Sequence, residues 1–205
     1  MADPIEDIAR YYASKLEAHG ATPRGVDWNG EEGQVIRFEQ ICKVIDGSSP
    51  FTLNDIGCGY GALVDYLANR YSGFSYLGVD VAENMVESAR RLHAGESRAA
   101  FQHGAVPDRC ADYSVASGIF NVRLDHDEAG WIRHVESTLD RINATSLRGF
   151  AFNCLTKYSD PERMRADLFY ADPGWLFDLC KTRFSRNVAL LHDYDLYEFT
   201  LVVRK

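Results

Sequence analysis

The sequence predicts an open α/β sheet in which mostly parallel strands alternate with helices. Three observations carry that prediction. The apolar run Phe51-Thr52-Leu53-Asn54-Asp55-Ile56 ends in glycines at alternate positions, Gly57, Gly59 and Gly61, and Ala62-Leu63-Val64-Asp65-Tyr66-Leu67 follows at helical spacing. A strand feeding a glycine turn that opens a helix is the nucleotide-binding corner of such a sheet. A second β-type run, Phe74-Ser75-Tyr76-Leu77-Gly78-Val79-Asp80, ends in an acid roughly twenty residues past the turn, where ribose hydroxyls find an acceptor. The chain closes on two strand-like runs joined by a short turn, which pair antiparallel.

Taken in order, Ile5, Ile8, Ala9, Tyr12 and Leu16 predict a helix from Ile5 to about His19, stopped by Gly20. A loop with Pro23, Gly25, Trp28 and Gly30 leads to a second helix from Glu31 to about Ile45, with Val35, Phe38, Ile41, Cys42 and Ile45 as its apolar face and Gly47-Ser48-Ser49-Pro50 as its end. The glycine turn follows. Its glycines let a ligand approach the backbone, and the first free N–H groups of the next helix point at that ligand. Gly57, Gly59 and Ala62 satisfy G-x-G-x-x-G/A, whereas Asp55, Gly57, Gly59 and Gly61 satisfy D-x-G-x-G-x-G. A carboxylate at the strand end repels a pyrophosphate and suits a cofactor with a cationic tail.

After Asp80, Val81-Ala82-Glu83-Asn84-Met85 opens another helix. Ala99–His103 is the third strand, and Asp112 to Ala116 the fourth, leaving through Ser117, Gly118, Asn121 and Arg123. Asp125 with Glu128 reads as a capping box for a helix carrying Trp131, Val135, Leu139 and Ile142, a reading that outweighs a metal site. Leu147 to Leu155 is the fifth strand. Ser159 with Glu162 then predicts a helix whose inner face is Met164, Leu168 and Phe169, and Asp172-Pro173 starts another with Leu176, Phe177 and Cys180 inward. The last two strands run from Asn187 to Tyr194 and from Leu196 to Arg204.

Composition narrows the function. The 205 residues suit one domain with a small cap, 46% apolar and 25% charged. A net charge of −8 with no dense Lys/Arg run argues against a nucleic-acid partner. No apolar stretch reaches the ~20 residues of a membrane span, and the acidic start Met1-Ala2-Asp3-Pro4-Ile5-Glu6-Asp7 lacks signal-peptide order. Five scattered cysteines form neither a disulfide framework nor a zinc pattern and read as reduced thiols of a cytoplasmic protein.

With these residues in view, the chain from Phe51 to its end resembles class I (Rossmann-like) S-adenosylmethionine-dependent methyltransferases of the small-molecule type. The resemblance rests on Asp55-x-Gly57-x-Gly59-x-Gly61, Asp80, Met85, the fourth-strand exit and the final strand pair. It implies the strand order 3-2-1-4-5-7-6 with strand 7 antiparallel. It also implies an N-terminal helical cap over residues 1–50, and a cofactor domain over 51–205 with an insertion at about 156–172. The cofactor it implies is S-adenosyl-L-methionine, contacted by Asp55, Gly57, Cys58, Gly59 and Gly61 at the turn, by Asp80 and Val81 at the ribose, by Met85 beside the adenine, and by Ser117 and Gly118 near the sulfur. Gly104-Ala105-Val106 after the third strand departs from the family's polar residue there and leaves the adenine amine unassigned.

The expected reaction is in-line methyl transfer to a small polar metabolite, with Asn121 and Arg123 as catalytic residues. Tyr11, Tyr12, Gln34, Arg37, Tyr158 and Tyr170 are expected to contact the acceptor, and Trp28 to serve as a lid or as helix packing. No metal and no general base is assigned. Alternatives are intramolecular alkylation of the same cofactor, releasing methylthioadenosine, and a non-catalytic cofactor-binding module. A nicotinamide enzyme is disfavoured by Asp55 and the terminal strand pair.

Overall fold

The run Phe51–Ile56 forms β1 near the centre of a seven-stranded sheet in the computed structural model, which describes residues 4–47 and 50–205. All of β1 except Thr52 is buried, because it has a parallel neighbour on each side and helices on both faces. Two helices precede it, α1 (Pro4–His19) and α2 (Glu31–Ile41). After it come α3 (Ala62–Arg70), β2 (Phe74–Asp80), α4 (Glu83–Leu92), β3 (Ala99–His103), β4 (Ala111–Ala116), α5 (Glu128–Ala144), β5 (Ser146–Leu155), α6 (Pro173–Arg183), β6 (Asn187–Leu191) and β7 (Glu198–Arg204). The strand order is β3-β2-β1-β4-β5-β7-β6, with β7 antiparallel to both β5 and β6, as the family resemblance implies. Strand order reverses between β1 and β4, which makes their carboxyl ends the place where such sheets bind ligands.

Two apolar layers sandwich the sheet. One joins Phe38 and Ile41 of α2, Leu63, Val64 and Leu67 of α3, and Val86 and Ala89 of α4 to one face. The other joins Trp131, Val135, Leu139 and Ile142 of α5 and Leu176 and Cys180 of α6 to Phe150, Phe152, Phe199 and Leu201. The first helix crosses the carboxyl ends of the strands. Its Leu16 packs with Ala82 and Met85, and Asn84 Nδ2 donates to the Ala13 carbonyl at 3.3 Å.

Local differences from the sequence reading have physical causes. The second helix stops at Ile41 and tightens into a short 3-10 turn over Cys42–Val44, and Val35 is 43% exposed rather than part of the apolar face. The cap of α5 is Asp127, which accepts from Gly130 N–H at 2.8 Å; Asp125 does not serve. Between Ser159 and α6 the chain forms only the 3-10 turn Pro161–Arg163, not the expected helix. The Ser159 hydroxyl donates back to the Thr156 carbonyl, and the segment then bridges Leu168 to Val122 and Ala171 to Thr156, so its backbone groups are satisfied outside a helix. The start at residues 1–3 and the Ser48-Ser49 helix stop lie outside the described residues. Among those described, no helix is long and apolar enough to cross a membrane.

Candidate active site

The glycine turn takes its shape from backbone that side chains resist. Gly57, Gly59 and Gly61 have φ of 74°, 55° and 84°, in the left-handed region. A Cβ on Gly57 would stand 2.3 Å from Ile119 Cγ2. The N–H groups of Gly57 and Cys58 donate to the Val79 carbonyl at 2.8 and 3.1 Å and tie the turn to β2. The Asp80 carboxylate accepts from Gly59 N–H and Ala82 N–H, each at 2.8 Å, and is held rigidly at the end of β2.

Above the turn opens a first chamber of about 1060 Å³, its open mouth included. Asp55, Gly57, Cys58, Gly59, Asp80, Val81, Met85, Ser117 and Gly118 line it, so the structure brings together every expected cofactor residue except Gly61. Gly61 stands behind, capping the start of α3. Gln34 also lines this chamber and accepts from the Tyr60 hydroxyl at 3.2 Å. The β3 exit contributes only Gly104 and Ala105, while His103 turns its Nε2 to the Val81 carbonyl at 3.1 Å.

Both acids of this chamber hold their protons more tightly than usual. Burial pushes the Asp55 pKa up to about 7; the Tyr76 hydroxyl at 2.7 Å opposes that rise and Asp80 adds to it. Burial also raises Asp80, against the pull of its two backbone N–H donors.

A second chamber of about 1250 Å³, mouth included, adjoins the first, and Tyr12, Val26 and Trp28 line both. Tyr12, Arg37, Asn121 and Tyr170 of the expected residues line it. Tyr11 stands behind, its hydroxyl donating to Asp27 at 2.7 Å. Tyr158 is 66% exposed and lines neither chamber, nor does Arg123. The Arg123 guanidinium donates to the carbonyls of His126 and Ala166 and so braces the loop after β4.

Sequence reasoning passed over Val26, Asp27, Leu155, Ser159 and Glu198, which also line this chamber. Asp27, at φ 61°, accepts from Tyr11, from Lys15 Nζ at 2.7 Å and from Arg165 at 3.5 Å, joining the N-terminal helix to the segment after β5. Its place in a Gly-Val-Asp-Trp-Asn-Gly loop was the one available signal.

The wall between the chambers closes on itself. Trp28 stacks under Arg37, whose guanidinium lies 3.8 Å from the ring centre. Arg37 grips Glu198 through Nε at 3.0 and 2.9 Å and through Nη2 at 2.5 Å. Glu198 also accepts from Asn153 Nδ2 at 3.1 Å, and Asn153 Oδ1 accepts from Gly118 N–H at 2.7 Å. Gly118, at φ 76°, is pressed against Trp28, and a Cβ there would stand 2.5 Å from the indole. Trp131 Nε1–H donates to the Phe120 carbonyl at 3.1 Å and fixes the same turn from below.

Residues 54–142 match a family model described as a methyltransferase domain. A Mycobacterium tuberculosis protein named "Putative methyltransferase Rv1506c" is 57% identical over 163 residues, covering 80% of this chain and 98% of that protein. Magnesium protoporphyrin IX methyltransferase from Synechocystis, solved with bound S-adenosylmethionine, superposes with a TM-score of 0.71 at 14% identity over 100% of this chain and 98% of its own. An N-methyltransferase from Bradyrhizobium japonicum, solved with S-adenosylhomocysteine, gives 0.66 at 13% identity over 97% and 98%. These two likenesses show the shared fold.

Proposed function

The chain belongs to the class I S-adenosylmethionine-dependent methyltransferase family, and from that premise we propose that it methylates a small polar metabolite held in the second chamber. The observation that carries this reading is the shared wall: two chambers meet at Tyr12, Val26 and Trp28, beside the β4 exit. A donor in one and an acceptor in the other would face each other at Gly118 and Asn121. Intramolecular alkylation needs no second chamber.

The residues of the first chamber fit the cofactor. The turn offers backbone with no Cβ in the way, Asp55 a carboxylate for an ammonium tail, and Asp80 further lone pairs for ribose hydroxyls. Val81, Met85 and Ile119 supply an apolar surround for a flat base. Bound there, the cofactor supplies a methyl group on an electrophilic sulfonium. This chain's own part is positioning and the exclusion of water, which alone supply much of the rate of a displacement that needs near-collinear partners. Trp28, held by Arg37 and Gly118, fixes the wall against which the acceptor lies.

The test is to give the full chain S-adenosylmethionine labelled in its methyl group together with a fractionated metabolite extract. The account predicts label in a small-molecule fraction and equimolar S-adenosylhomocysteine. Label in protein or nucleic acid, or methylthioadenosine formed without an extract, contradicts it.

A further inference from the structure

Six charged side chains line the second chamber, and Arg37, Glu198, Arg165 and Asp27 among them are paired within the protein. Arg37 is paired with Glu198, and Arg165 is engaged by Asp167 and Asp27. Asp27 is matched by Lys15 as well. Arg163, which pairs with Asp160 at 3.9 Å, and Asp195 are exposed, as is Arg165. A charged acceptor entering here gives up hydration and meets arginines that are already engaged by carboxylates.

Two polar atoms are left over. Asn121 is 7% exposed, and its Oδ1 accepts from Leu155 N–H at 3.1 Å. That bond fixes the amide against flipping and turns Nδ2 into the chamber. Nδ2 lies 3.5 Å from where a Cβ on Gly118 would stand, at the junction of the two chambers. Among the described residues Nδ2 has no hydrogen-bond partner, and neither has the hydroxyl of Tyr12, which lines both chambers. Burial of that hydroxyl and the carboxylate of Asp27, with Tyr11, Asp80 and Glu198 adding, hold its pKa far above the usual range, so it keeps its proton. Asn121 Nδ2 can only donate a hydrogen bond, whereas the Tyr12 hydroxyl both donates and accepts.

We infer that the acceptor is an uncharged hydroxyl compound whose oxygen takes a hydrogen bond from Asn121 Nδ2 and whose O–H donates to the Tyr12 hydroxyl oxygen, which leaves one lone pair free and positions it for O-methylation. This rests on the reading of the second chamber as the acceptor site. An ammonium nitrogen has no lone pair to offer Asn121 Nδ2, and a carboxylate finds Arg37 and Arg165 already engaged by Glu198, Asp27 and Asp167. Tyr12 and Tyr170 add aromatic surface for the carbon skeleton. In the reaction a C–O bond forms as the methyl C–S bond breaks, the electron pair of that bond returns to sulfur, and the hydroxyl proton leaves to water at the chamber mouth.

The test is ligand-observed NMR on the full chain loaded with S-adenosylhomocysteine. The panel is matched sets of neutral alcohols and phenols, their carboxylates and their amines. Asn121→Asp keeps the Oδ1 contact and removes the amide donor, and Tyr12→Phe removes the hydroxyl. Melting curves and S-adenosylhomocysteine titrations accompany each variant. The expected result is binders drawn from the neutral hydroxyl set, weakened at least tenfold by Asn121→Asp and several-fold by Tyr12→Phe, in folded proteins. Binders drawn from the charged sets, no hydroxyl binder at all, or hydroxyl binders indifferent to both variants overturn the inference. Failure of S-adenosylhomocysteine to bind the unaltered chain instead removes the reading beneath it.

Discussion

Arg37 in α2 and Glu198 at the start of β7, 161 positions apart, form a bidentate ion pair with side chains 12% and 1% exposed. The pair anchors the wall between the two chambers, because Trp28 lies flat on its guanidinium and Asn153 carries the contact on to Gly118. Removing one partner of a buried pair leaves an uncompensated charge, which costs more than removing both. Arg37→Ala is therefore expected to destabilise the fold by about 3 kcal/mol. Arg37→Leu combined with Glu198→Leu is expected to lose less than that. Urea denaturation of the three proteins checks both statements. Equal losses for the single and double variants would show that packing, not charge, decides the effect.

Gly118→Ala tests the other end of the same wall. The residue sits at φ 76°, and the added methyl meets the Trp28 indole at 2.5 Å. Left-handed backbone and a displaced ring together are expected to cost about 2 kcal/mol. The indole has to move, so Trp28 should become accessible to an aqueous quencher. A variant with native stability and native quenching would remove the close contact from the account.

The pH dependence of cofactor affinity should follow Asp55. Its pKa in the fold is about 7, raised from 3.8 by burial. A raised acid stabilises the fold most below its unfolded pKa, and that contribution is lost as pH rises through about 7. Binding runs the other way, since an ammonium tail prefers the ionised carboxylate. S-adenosylhomocysteine affinity is expected to rise with pH up to about 7, by up to about tenfold per unit, until the ligand's own amine loses its proton. Asp55→Asn should flatten the rise, and methylthioadenosine, which lacks the ammonium, should show none. Calorimetry across this range reads all three. A slope that survives Asp55→Asn belongs to another group.

The sequence made the central corner legible because its signals are local. The apolar run of β1, the glycines at 57, 59 and 61, and Asp80 at the end of β2 each announce themselves within a few residues. The antiparallel end of the sheet was legible for the same reason, as two β-type runs across a short turn. The second chamber was not. Its wall depends on Arg37 meeting Glu198 and on Asp27 joining Tyr11 to Arg165, and no local pattern marks such distant pairs. Local signals also misled. Ser159 with Glu162 has the spacing of a capping box, yet the bridges to Thr156 and Val122 override the helix. Arg37, Arg123 and Arg165 look free in the sequence, whereas Arg37 and Arg165 are paired with carboxylates and Arg123 with backbone carbonyls.

The most direct measurement of the central claim is a calorimetric titration of the full chain with S-adenosylmethionine, S-adenosylhomocysteine and NAD, repeated with Asp80→Ala. The account predicts one-to-one binding of both sulfur nucleotides, strongly weakened in the variant, and no heat with NAD. Binding of NAD alone, or sulfur-nucleotide affinity unchanged by the loss of Asp80, would contradict the assignment of the first chamber.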